Sequence, residues 1–376
     1  MARQKNKPRV LVVGPTLKQM GGVGMFNEIL LASEGLRQDY EMLHLNTSRP
    51  ENTIEKVATM APTNFLLFFK QWLQLVKILI TQRPRIMHQP ITDRISFYKE
   101  GVFMLTARLF GVRVVGHLHG NAFKKLSEHR RKSVRASVRF VMGLPNVIIA
   151  LSDGWRDYLL QQVSPKLKVT VVQNTVDVSF ADYANHPADK SNRTTCKVLF
   201  MGSLGTRKGV PEILKALPIV RAQNPTVEFV IPGGLELGSE HDLIEQAKTE
   251  ALKVGGVVFP GIVTGQAKLD LFKDADIFLL PSYNENFPIA VLEAMASQLP
   301  LIVTPVGALP EALQEGAHCF FVPMGDVQAI ADHVLCLAQD KTLRETIGAA
   351  NLALYHERYA LQVTMNKIKA IYSQLL

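Results

Sequence analysis

The sequence predicts an α/β protein made of two Rossmann-like domains, each built on a parallel sheet. Short apolar runs rich in β-branched residues alternate with helix-length segments along the whole chain. Several of these runs are continuously apolar, which is typical of strands buried on both faces of a parallel sheet. A chain of 376 residues also has the usual length of two domains. Together these observations favour strand–helix alternation in both halves.

Six strands are predicted in each half of the chain. Those of the first half are Arg9–Gly14, Tyr40–Leu45, Ile86–His88, Val112–His119, Val147–Ala150 and Lys168–Val172. Those of the second half are Lys197–Met201, Thr226–Ile231, Gly256–Phe259, Ile277–Leu280, Leu301–Val303 and His318–Phe321. The helix-length segments between them include Val23–Arg37, Asn64–Gln82, Phe123–Met142 and Ile289–Gln298.

The domain boundary is predicted in the polar stretch Asp182–Thr195, which contains a proline and has no apolar periodicity. We therefore expect a first domain at residues 1–185 and a second at residues 186–354. The segment 355–376 has a helical pattern and follows the last predicted strand. We expect it to pack back toward the first domain.

The composition indicates a globular protein of a reducing compartment. Hydrophobic residues make up 47% and charged residues 20% of the chain, which excludes a disordered or collagen-like protein. The three cysteines are widely spaced and form no C-x-x-C pair, so neither a disulfide framework nor a zinc site is predicted. The apolar run Val10–Val13 after the basic N-terminus is too short for a signal peptide, and Lys70 and Lys77 interrupt the most apolar helix. We expect a cytoplasmic protein.

The excess positive charge lies in the first half of the chain. Residues 1–185 hold 26 Lys and Arg against 13 Asp and Glu, and the densest basic stretch is Lys124–Arg139. Such a segment predicts an anionic partner such as a membrane surface, although a solvated helix face is the simpler interpretation. Few aromatic residues interrupt it and no nucleic-acid motif accompanies it, so nucleic acid is not expected. Anionic lipid attracts each Lys or Arg near its surface by about 1 kcal/mol.

Ligands of open α/β sheets bind beyond the carboxyl ends of the strands, so the segments after the strands are the candidate sites. The first strand leads into a glycine-containing loop that includes Gly21, Gly22 and Gly24. Glycines there would let the backbone approach a phosphate, or would only form a tight turn. The spacing is neither G-x-G-x-x-G nor a Walker A loop, which disfavours a dinucleotide dehydrogenase.

A second glycine loop follows the first strand of the second half and holds Arg207 and Lys208. Arg binds phosphate oxygens in pairs and Lys acts as a point charge, so together they suit a diphosphate. A surface charge pair is the simpler alternative.

Two carboxylates follow the predicted strand Ile277–Leu280. Glu285 lies in a loop just before a helix, and Glu293 lies within that helix among apolar residues. A carboxylate is costly to bury without partners, and a pair of ligand hydroxyls would be one partner. An exposed helix face is the alternative for Glu293.

His117 and His119 end another strand and point the same way, since side chains alternate along a strand. No third ligand lies near them in the sequence, so a hydrogen-bonded pair is favoured over a metal site.

In their order and spacing, these segments resemble the GT-B glycosyltransferases, in particular the retaining family 4, over nearly the whole chain. The most specific element is the E-x7-E motif from Glu285 to Glu293. The other matching segments are Gly21-Gly22-Val23, His119-Gly120, Asn174-Thr175-Val176-Asp177, the loop from Gly202 to Gly209 and Thr304-Pro305-Val306-Gly307.

The resemblance implies two domains that face each other across a cleft, with a nucleotide-diphosphate sugar as the donor. Arg207 and Lys208 would bind the diphosphate, with Gly22 approaching it from the first domain. Glu293 would bind the ribose hydroxyls and His119 would contact the sugar near the reacting carbon.

The transferring sugar would be held by Glu285 and by backbone groups of Asn286, Phe287 and Ile289. The family pattern makes His119, Glu285 and Lys208 the catalytic candidates. No metal or other cofactor is expected, because cations and helix dipoles stabilise the leaving phosphate. Retention by front-face attack is implied, with Glu285 as a positioning group rather than the covalent nucleophile of retaining glycosidases.

The sequence departs from the family pattern at three positions. Ser203 stands where an Arg is common, Asn286 replaces a common Gly, and Thr175 replaces a glycine of the hinge segment. Asn tolerates left-handed backbone geometry, so we expect the loop to survive.

The function implied is transfer of a sugar to an acceptor hydroxyl, with a sugar or lipid-linked acceptor in bacterial polysaccharide or lipopolysaccharide synthesis at the inner membrane surface. Two alternatives remain open: a sugar-nucleotide epimerase of the same fold and a non-catalytic scaffold. The donor base stays undetermined between UDP, GDP and others.

Overall fold

The computed structural model describes residues 7–16, 22–48, 62–120, 122–185, 195–236 and 241–376. The chain forms two compact units. The first contains residues 1–174 together with 362–376, and the second contains residues 175–361.

The first unit is built on a six-stranded parallel sheet with strand order β2-β1-β3-β4-β5-β6. Its strands are β1 (Arg9–Gly14), β2 (Glu41–Asn46), β3 (Ile86–Ile91), β4 (Arg113–Leu118), β5 (Val147–Ala150) and β6 (Val169–Val171). Every residue of β3 is buried, as expected for a strand covered on both faces. The predicted strands of the first half are all present, with ends that differ by a few residues.

Helices connect these strands and cover the sheet. They are α1 (Gly22–Ala32), α2 (Glu34–Asp39), α3 (Pro62–Thr81), α4 (Arg94–Leu109), α5 (Phe123–Ser127), α6 (Lys132–Met142) and α7 (Asp153–Tyr158), which continues into a π-helical turn at Leu159–Val163. The predicted helix Val23–Arg37 is divided, because Ser33 caps α2 by accepting a hydrogen bond from the backbone N–H of Leu36.

The second unit has its own six-stranded parallel sheet, with order β12-β11-β10-β7-β8-β9. Its strands are β7 (Cys196–Leu199), β8 (Val227–Val230), β9 (Val257–Val258), β10 (Ile277–Leu280), β11 (Leu301–Val303) and β12 (Cys319–Phe321). The central strand β10 is buried along its whole length. All six predicted strands of the second half are present here too.

The helices of the second unit, with the C-terminal helix of the chain, complete the fold. They are α8 (Val178–Asn185), α9 (Val210–Gln223), α10 (His241–Val254), α11 (Gly265–Asp274), α12 (Ile289–Ala296), α13 (Leu309–Ala312), α14 (Val327–Gln339), α15 (Lys341–Leu354) and α16 (Leu361–Leu375). A 3₁₀ turn at Thr206–Lys208 precedes α9, and a π-helical turn at Tyr355–Tyr359 follows α15.

The division between the units falls after Asn174, earlier than the boundary predicted after residue 185. Thr175 is buried and donates a hydrogen bond to the carbonyl of Tyr359 at 2.7 Å. Phe180 of α8 packs edge-on against Phe272 at 5.1 Å between ring centroids. These contacts place residues 175–185 in the second unit. The polar stretch Asp182–Thr195 therefore does not coincide with the boundary between the units. Residues 186–194 of the predicted linker lie outside the described residues.

The C-terminal segment is divided between the units. Residues 355–361 belong to the second unit and residues 362–376 to the first. Within the first unit, Lys367 Nζ donates to Gln173 Oε1 at 3.0 Å, and Tyr372 is fully buried beside β3.

The basic segment Lys124–Arg139 is not one helix, because residues 128–131 separate α5 from α6. The backbone N–H of Arg131 donates to His129 Nδ1 at 3.2 Å, a local bond that competes with helical pairing. None of the described helices combines the length and hydrophobicity that a membrane crossing requires.

Candidate functional site

The glycine loop after β7 packs against the loop after β10. Gly209 has a φ of +72°, and a Cβ there would lie 2.2 Å from the carbonyl oxygen of Pro281. Only glycine allows this approach. The backbone N–H of Tyr283 donates to the carbonyl of Arg207 at 2.9 Å, which fixes the two loops to each other.

This packing brings Lys208 and Glu285 together. Lys208 Nζ lies 2.5 Å from Glu285 Oε1, and both side chains are mostly buried, with 15% and 9% exposure. The two residues are far apart in the sequence, and the fold brings their side chains into contact. A cation held beside a carboxylate can bind a phosphate while the carboxylate accepts from hydroxyl groups.

Arg207 has a protein partner that the sequence did not reveal. Its guanidinium forms an ion pair with Glu236 at 2.7 Å, and Nη1 also donates to the carbonyl of Asn284 at 3.3 Å. Glu236 follows β8, so this carboxylate also stands beyond a strand end, the one sequence signal that pointed to it. A diphosphate would have to share Arg207 with Glu236, so the role of Arg207 at phosphate stays a prediction.

Glu293 of α12 is fully buried, which rules out the exposed helix face as its setting. Lys268 Nζ of α11 lies 2.5 Å from its Oε1, whereas Oε2 has no hydrogen-bond partner within the described part of the chain. Burial raises the pKa of Glu293, Lys268 opposes this rise, and the nearby charge of Asp177 adds to it. A hydrogen-bond donor of a ligand would satisfy this buried acceptor oxygen. Lys268 was missed because nothing in its local sequence marks it.

The loop between Glu285 and α12 is held by its backbone. The carbonyl of Asn286 accepts from the N–H of Ala308 at 2.8 Å. Gly307 has a φ of +61°, and a Cβ there would stand 2.3 Å from that same carbonyl oxygen. Phe287 packs edge-on against Tyr359 at 5.4 Å.

Asn286 keeps a negative φ, since the described non-glycine residues with positive φ are Arg83 and Gln298. The expected left-handed geometry is therefore not what lets Asn replace glycine here. Helix α12 begins at Ile289 with Pro288 as its N-cap residue. The N–H groups at the start of this helix favour an anionic or hydroxyl-bearing ligand.

In the first unit, His119 follows β4 and stacks close to His117, with ring centroids 4.1 Å apart. Phe26 of α1 contacts both imidazole rings, at 4.7 Å from His117 and 5.5 Å from His119. Burial lowers the pKa of His119 to about 3, so its imidazole is neutral at physiological pH. Gly22 is the first residue of α1, and Gly21 lies outside the described residues.

His117 belongs to a buried chain of hydrogen bonds that the sequence did not reveal. Tyr372 Oη lies 2.8 Å from His88 Nδ1, and His88 Nε2 lies 3.2 Å from His117 Nδ1. Burial and the neighbouring His119 lower the pKa values of His88 and His117. The arrangement with the fewest unpaired groups has Tyr372 donating to His88 and His88 donating to His117. Nε2 of His117 then carries a proton and is a buried donor without a partner in the described structure.

Metal binding finds no support in the side chains that the structure describes. Across those residues, no group of three or more His, Cys, Asp or Glu side chains is arranged to hold an ion. The expectation of metal-free chemistry remains a prediction.

Comparison with known proteins places these two units in a family. The profile described as "Glycosyltransferase Family 4" matches residues 33–180, and that described as "Glycosyl transferases group 1" matches residues 195–340. The chain belongs to the GT-B glycosyltransferases. The first match spans strands β2 to β6 of the first unit, and the second spans all six strands of the second unit.

Solved structures of this fold resemble the chain over almost its full length. Sucrose-phosphate synthase from Thermosynechococcus elongatus matches with a TM-score of 0.74 and 18% identity, covering 98% of this chain and 99% of that one. HepE from Anabaena, solved with UDP and glucose, matches with a TM-score of 0.72 and 17% identity over 96% of this chain and 99% of that one. At this identity the likeness shows the fold, which confirms the predicted GT-B class.

Curated relatives align over a shorter region. The capsular polysaccharide biosynthesis glycosyltransferase CapM of Staphylococcus aureus is 25% identical over 47% of this chain and 46% of that protein. A phosphatidyl-myo-inositol mannosyltransferase of Mycobacterium leprae is 33% identical over 46% of each chain. The chain thus spans about half the length of the curated relatives it matches.

Proposed function

We propose that the protein is a retaining glycosyltransferase that moves a sugar from a nucleotide-diphosphate sugar to an acceptor hydroxyl. The observation that carries the proposal is the buried Glu293, whose Oε1 is paired with Lys268 and whose Oε2 is left without a partner in the described structure. A ribose supplies two adjacent hydroxyl donors for such a carboxylate.

The other groups of the second unit fit the remainder of a sugar nucleotide. Lys208 supplies a cation for the diphosphate, and Glu285, 2.5 Å away, accepts from hydroxyls of the transferring sugar. The N–H groups at the start of α12, together with the backbone of Asn286 and Phe287, donate to the same sugar.

In the reaction, the bond between the anomeric carbon and the diphosphate oxygen breaks, and a bond from that carbon to the acceptor oxygen forms on the same face. The acceptor proton passes to the leaving phosphate, whose new negative charge Lys208 stabilises. His119 is neutral and so contacts the sugar as a hydrogen-bonding group rather than as a cation.

The acceptor side of the proposal is a membrane-presented sugar or lipid-linked chain, as in capsular polysaccharide or lipopolysaccharide assembly in the cytoplasm. Support comes from the basic first half of the chain and from the likeness to a capsular polysaccharide glycosyltransferase and a phosphatidyl-myo-inositol mannosyltransferase. UDP is the first donor base to test, because HepE was solved with UDP and glucose.

The test is thermal unfolding of the chain with UDP-, GDP- and ADP-sugars in the presence of EDTA. A ligand at about 100 times its Kd stabilises the folded state by about 2.7 kcal/mol, so one nucleotide class should raise Tm clearly. Glu293→Gln should abolish that rise. Glu250→Gln, a change at an exposed ion pair of α10, is the matched control and should leave it intact.

A rise in Tm that survives Glu293→Gln would contradict the assignment of the ribose site. No rise with any donor would favour the scaffold. Conversion of the donor to an isomeric sugar nucleotide without acceptor, followed by NMR, would favour the epimerase.

A further inference from the structure

Helix α4 of the first unit is apolar on both of its faces. Its inner face is buried in the core of the unit through residues such as Phe97 and Phe103. Its outer face exposes a stripe at helical spacing, formed by Ile95, Tyr98, Val102, Leu105 and Leu109. A helix that packs on a sheet normally presents a polar face to water, so this exposed apolar stripe indicates an interaction surface.

Two neighbouring helices extend the stripe. Trp72 Nε1 of α3 donates to Thr106 Oγ1 of α4 at 3.1 Å, and Tyr98 Oη of α4 lies 3.3 Å from Ser137 Oγ of α6. Helices α3, α4 and α6 therefore lie side by side. The exposed apolar residues that α3 and α6 add are Phe65, Leu66, Phe69, Leu73, Ile80 and Phe140. We call the outer faces of these three helices the α4 surface.

The charge of the α4 surface has one sign. Helices α3 and α6 contain no acidic residue, and the single acid of α4, Glu100, is buried and accepts hydrogen bonds from Thr92. The Lys and Arg residues in the sequences of the three helices are Lys70, Lys77, Arg94, Lys99, Arg108, Lys132, Arg135 and Arg139. The surface therefore combines exposed apolar side chains with positive charge only.

We propose that the α4 surface docks the first unit onto an anionic lipid bilayer, with its apolar side chains in the interface and its cations on the headgroups. The proposal deepens the proposed function, since it supplies the contact that a membrane-presented acceptor requires. Amphipathic helices bind lipid through this combination of apolar area and attraction to anionic headgroups.

The arrangement of charge argues for lipid over other occupants. A second copy of the chain would bring two sets of cations against each other, which is unfavourable. At a protein interface Lys is depleted from the apolar centre. On α3, however, Lys70 and Lys77 alternate with Leu66, Leu73 and Ile80 along one exposed face. Lysines mixed with apolar residues suit an interface where the ammonium groups reach headgroups.

The test is co-sedimentation of the full chain with vesicles of phosphatidylcholine alone or of an equimolar mixture with phosphatidylglycerol. We expect binding to the anionic vesicles, weakened by salt. Val102→Glu combined with Leu109→Glu should lower the partition coefficient at least about tenfold, because burial of one such side chain contributes at least that factor.

Leu243→Glu combined with Leu252→Glu provides the matched control, since both leucines are exposed on α10 of the second unit. This control should bind vesicles like the unaltered chain. Equal binding to both vesicle types, or equal loss in both double variants, would overturn the proposal. A dimer in lipid-free solution that Val102→Glu with Leu109→Glu abolishes would assign the surface to a second copy instead.

Failure of this proposal is separable from failure of the proposed function. Vesicle binding needs no donor, and nucleotide-sugar binding is measured without lipid. Both double variants should keep the thermal shift given by the nucleotide sugar, which also shows that they are folded.

Discussion

At the scale of single residues, the ion pair with Lys268 stabilises the charged form of Glu293 in the candidate ribose site. Glu293 is fully buried and Lys268 is 13% exposed, so water could hardly solvate either charge if its partner were removed. Removing one partner of a buried pair costs about 3–5 kcal/mol, because it leaves an uncompensated charge.

We therefore predict that Lys268→Met lowers the free energy of unfolding of the second unit by about 3 kcal/mol near pH 8. Without Lys268, the pKa of Glu293 rises further. A carboxyl group whose pKa is raised in the folded state stabilises least at high pH, when it must be charged, and its cost disappears below its unfolded pKa. The loss should accordingly shrink toward about pH 5 in urea unfolding followed by far-UV circular dichroism.

Glu293→Gln added to Lys268→Met should recover part of the lost stability, since it removes the isolated charge. A loss of equal size at both pH values would mean that Lys268 acts through packing, for example on the ring of Phe180, 5.7 Å from its Nζ.

At the scale of elements, the backbone of the loop that carries Glu285 and Asn286 packs closely against Gly307. Gly307→Ala should place a methyl group against two carbonyl oxygens of that loop, at 2.3 and 2.5 Å. Gly316 has a similar φ of +75°, but no atom lies within 4 Å of its Cβ position. The variant Gly316→Ala therefore measures only the backbone cost of alanine at positive φ, about 1–2 kcal/mol, without a steric clash.

We predict that Gly307→Ala destabilises the second unit by more than Gly316→Ala does and that it alone weakens nucleotide-sugar binding, at least about tenfold. Calorimetric titration with the donor that binds best measures the affinity, and thermal unfolding measures the stability. Equal affinities in the two variants would show that the position of this loop does not matter for the donor.

The elements themselves were largely predictable from sequence, because buried parallel strands are continuous apolar runs. All twelve predicted strands are present, and β10 has the predicted ends. The basic segment was wrong as a single helix, since a side-chain bond to Arg131 interrupts it. The resemblance singled out Lys208 and Glu285, whose side chains the fold pairs, and their roles stay predictions.

Residues that complete the site from distant segments were not predictable. Lys268 and Tyr372 lack a local pattern, and Glu236 has only its place beyond a strand end. Each acquires its role from a partner that only the folded chain brings near. The exposure of the apolar stripe of α4 was not predictable for a related reason. Apolar residues at helical spacing are normally interpreted as buried core residues, and the sequence does not show which face of the helix is exposed.

At the scale of the whole molecule, the two units should respond differently to acid. Burial lowers the pKa of His88 to about 3 and lowers that of His117 well below its usual value, and both lie in the first unit. The unfolded chain binds protons to these groups below about pH 6.5, so each histidine lowers the stability of the first unit by up to about 1.4 kcal/mol per pH unit as pH decreases from there. Burial raises the pKa of Glu100 to about 7, which acts in the opposite direction, but one carboxyl group offsets only one histidine, so the stability still falls.

Tryptophan fluorescence can measure this directly. The chain has two tryptophans, and both Trp72 and Trp155 lie in the first unit. Urea midpoints from fluorescence should fall between about pH 6.5 and pH 4.5, whereas far-UV circular dichroism should show a second transition that shifts less. If the urea midpoints from both signals shifted equally with pH, the stability of the first unit would not depend on pH independently of the second.

The return of residues 362–376 to the first unit has a consequence for biosynthesis. The sheet of that unit is translated before the second unit, but Tyr372, the hydrogen-bond partner of the buried His88, is translated after it. Domains generally fold as units while the ribosome is still adding residues. Here the first unit cannot complete its core until the whole second unit has been translated. The unit encoded second can finish first, and a nascent chain stalled before α16 would expose an incomplete first unit to chaperones.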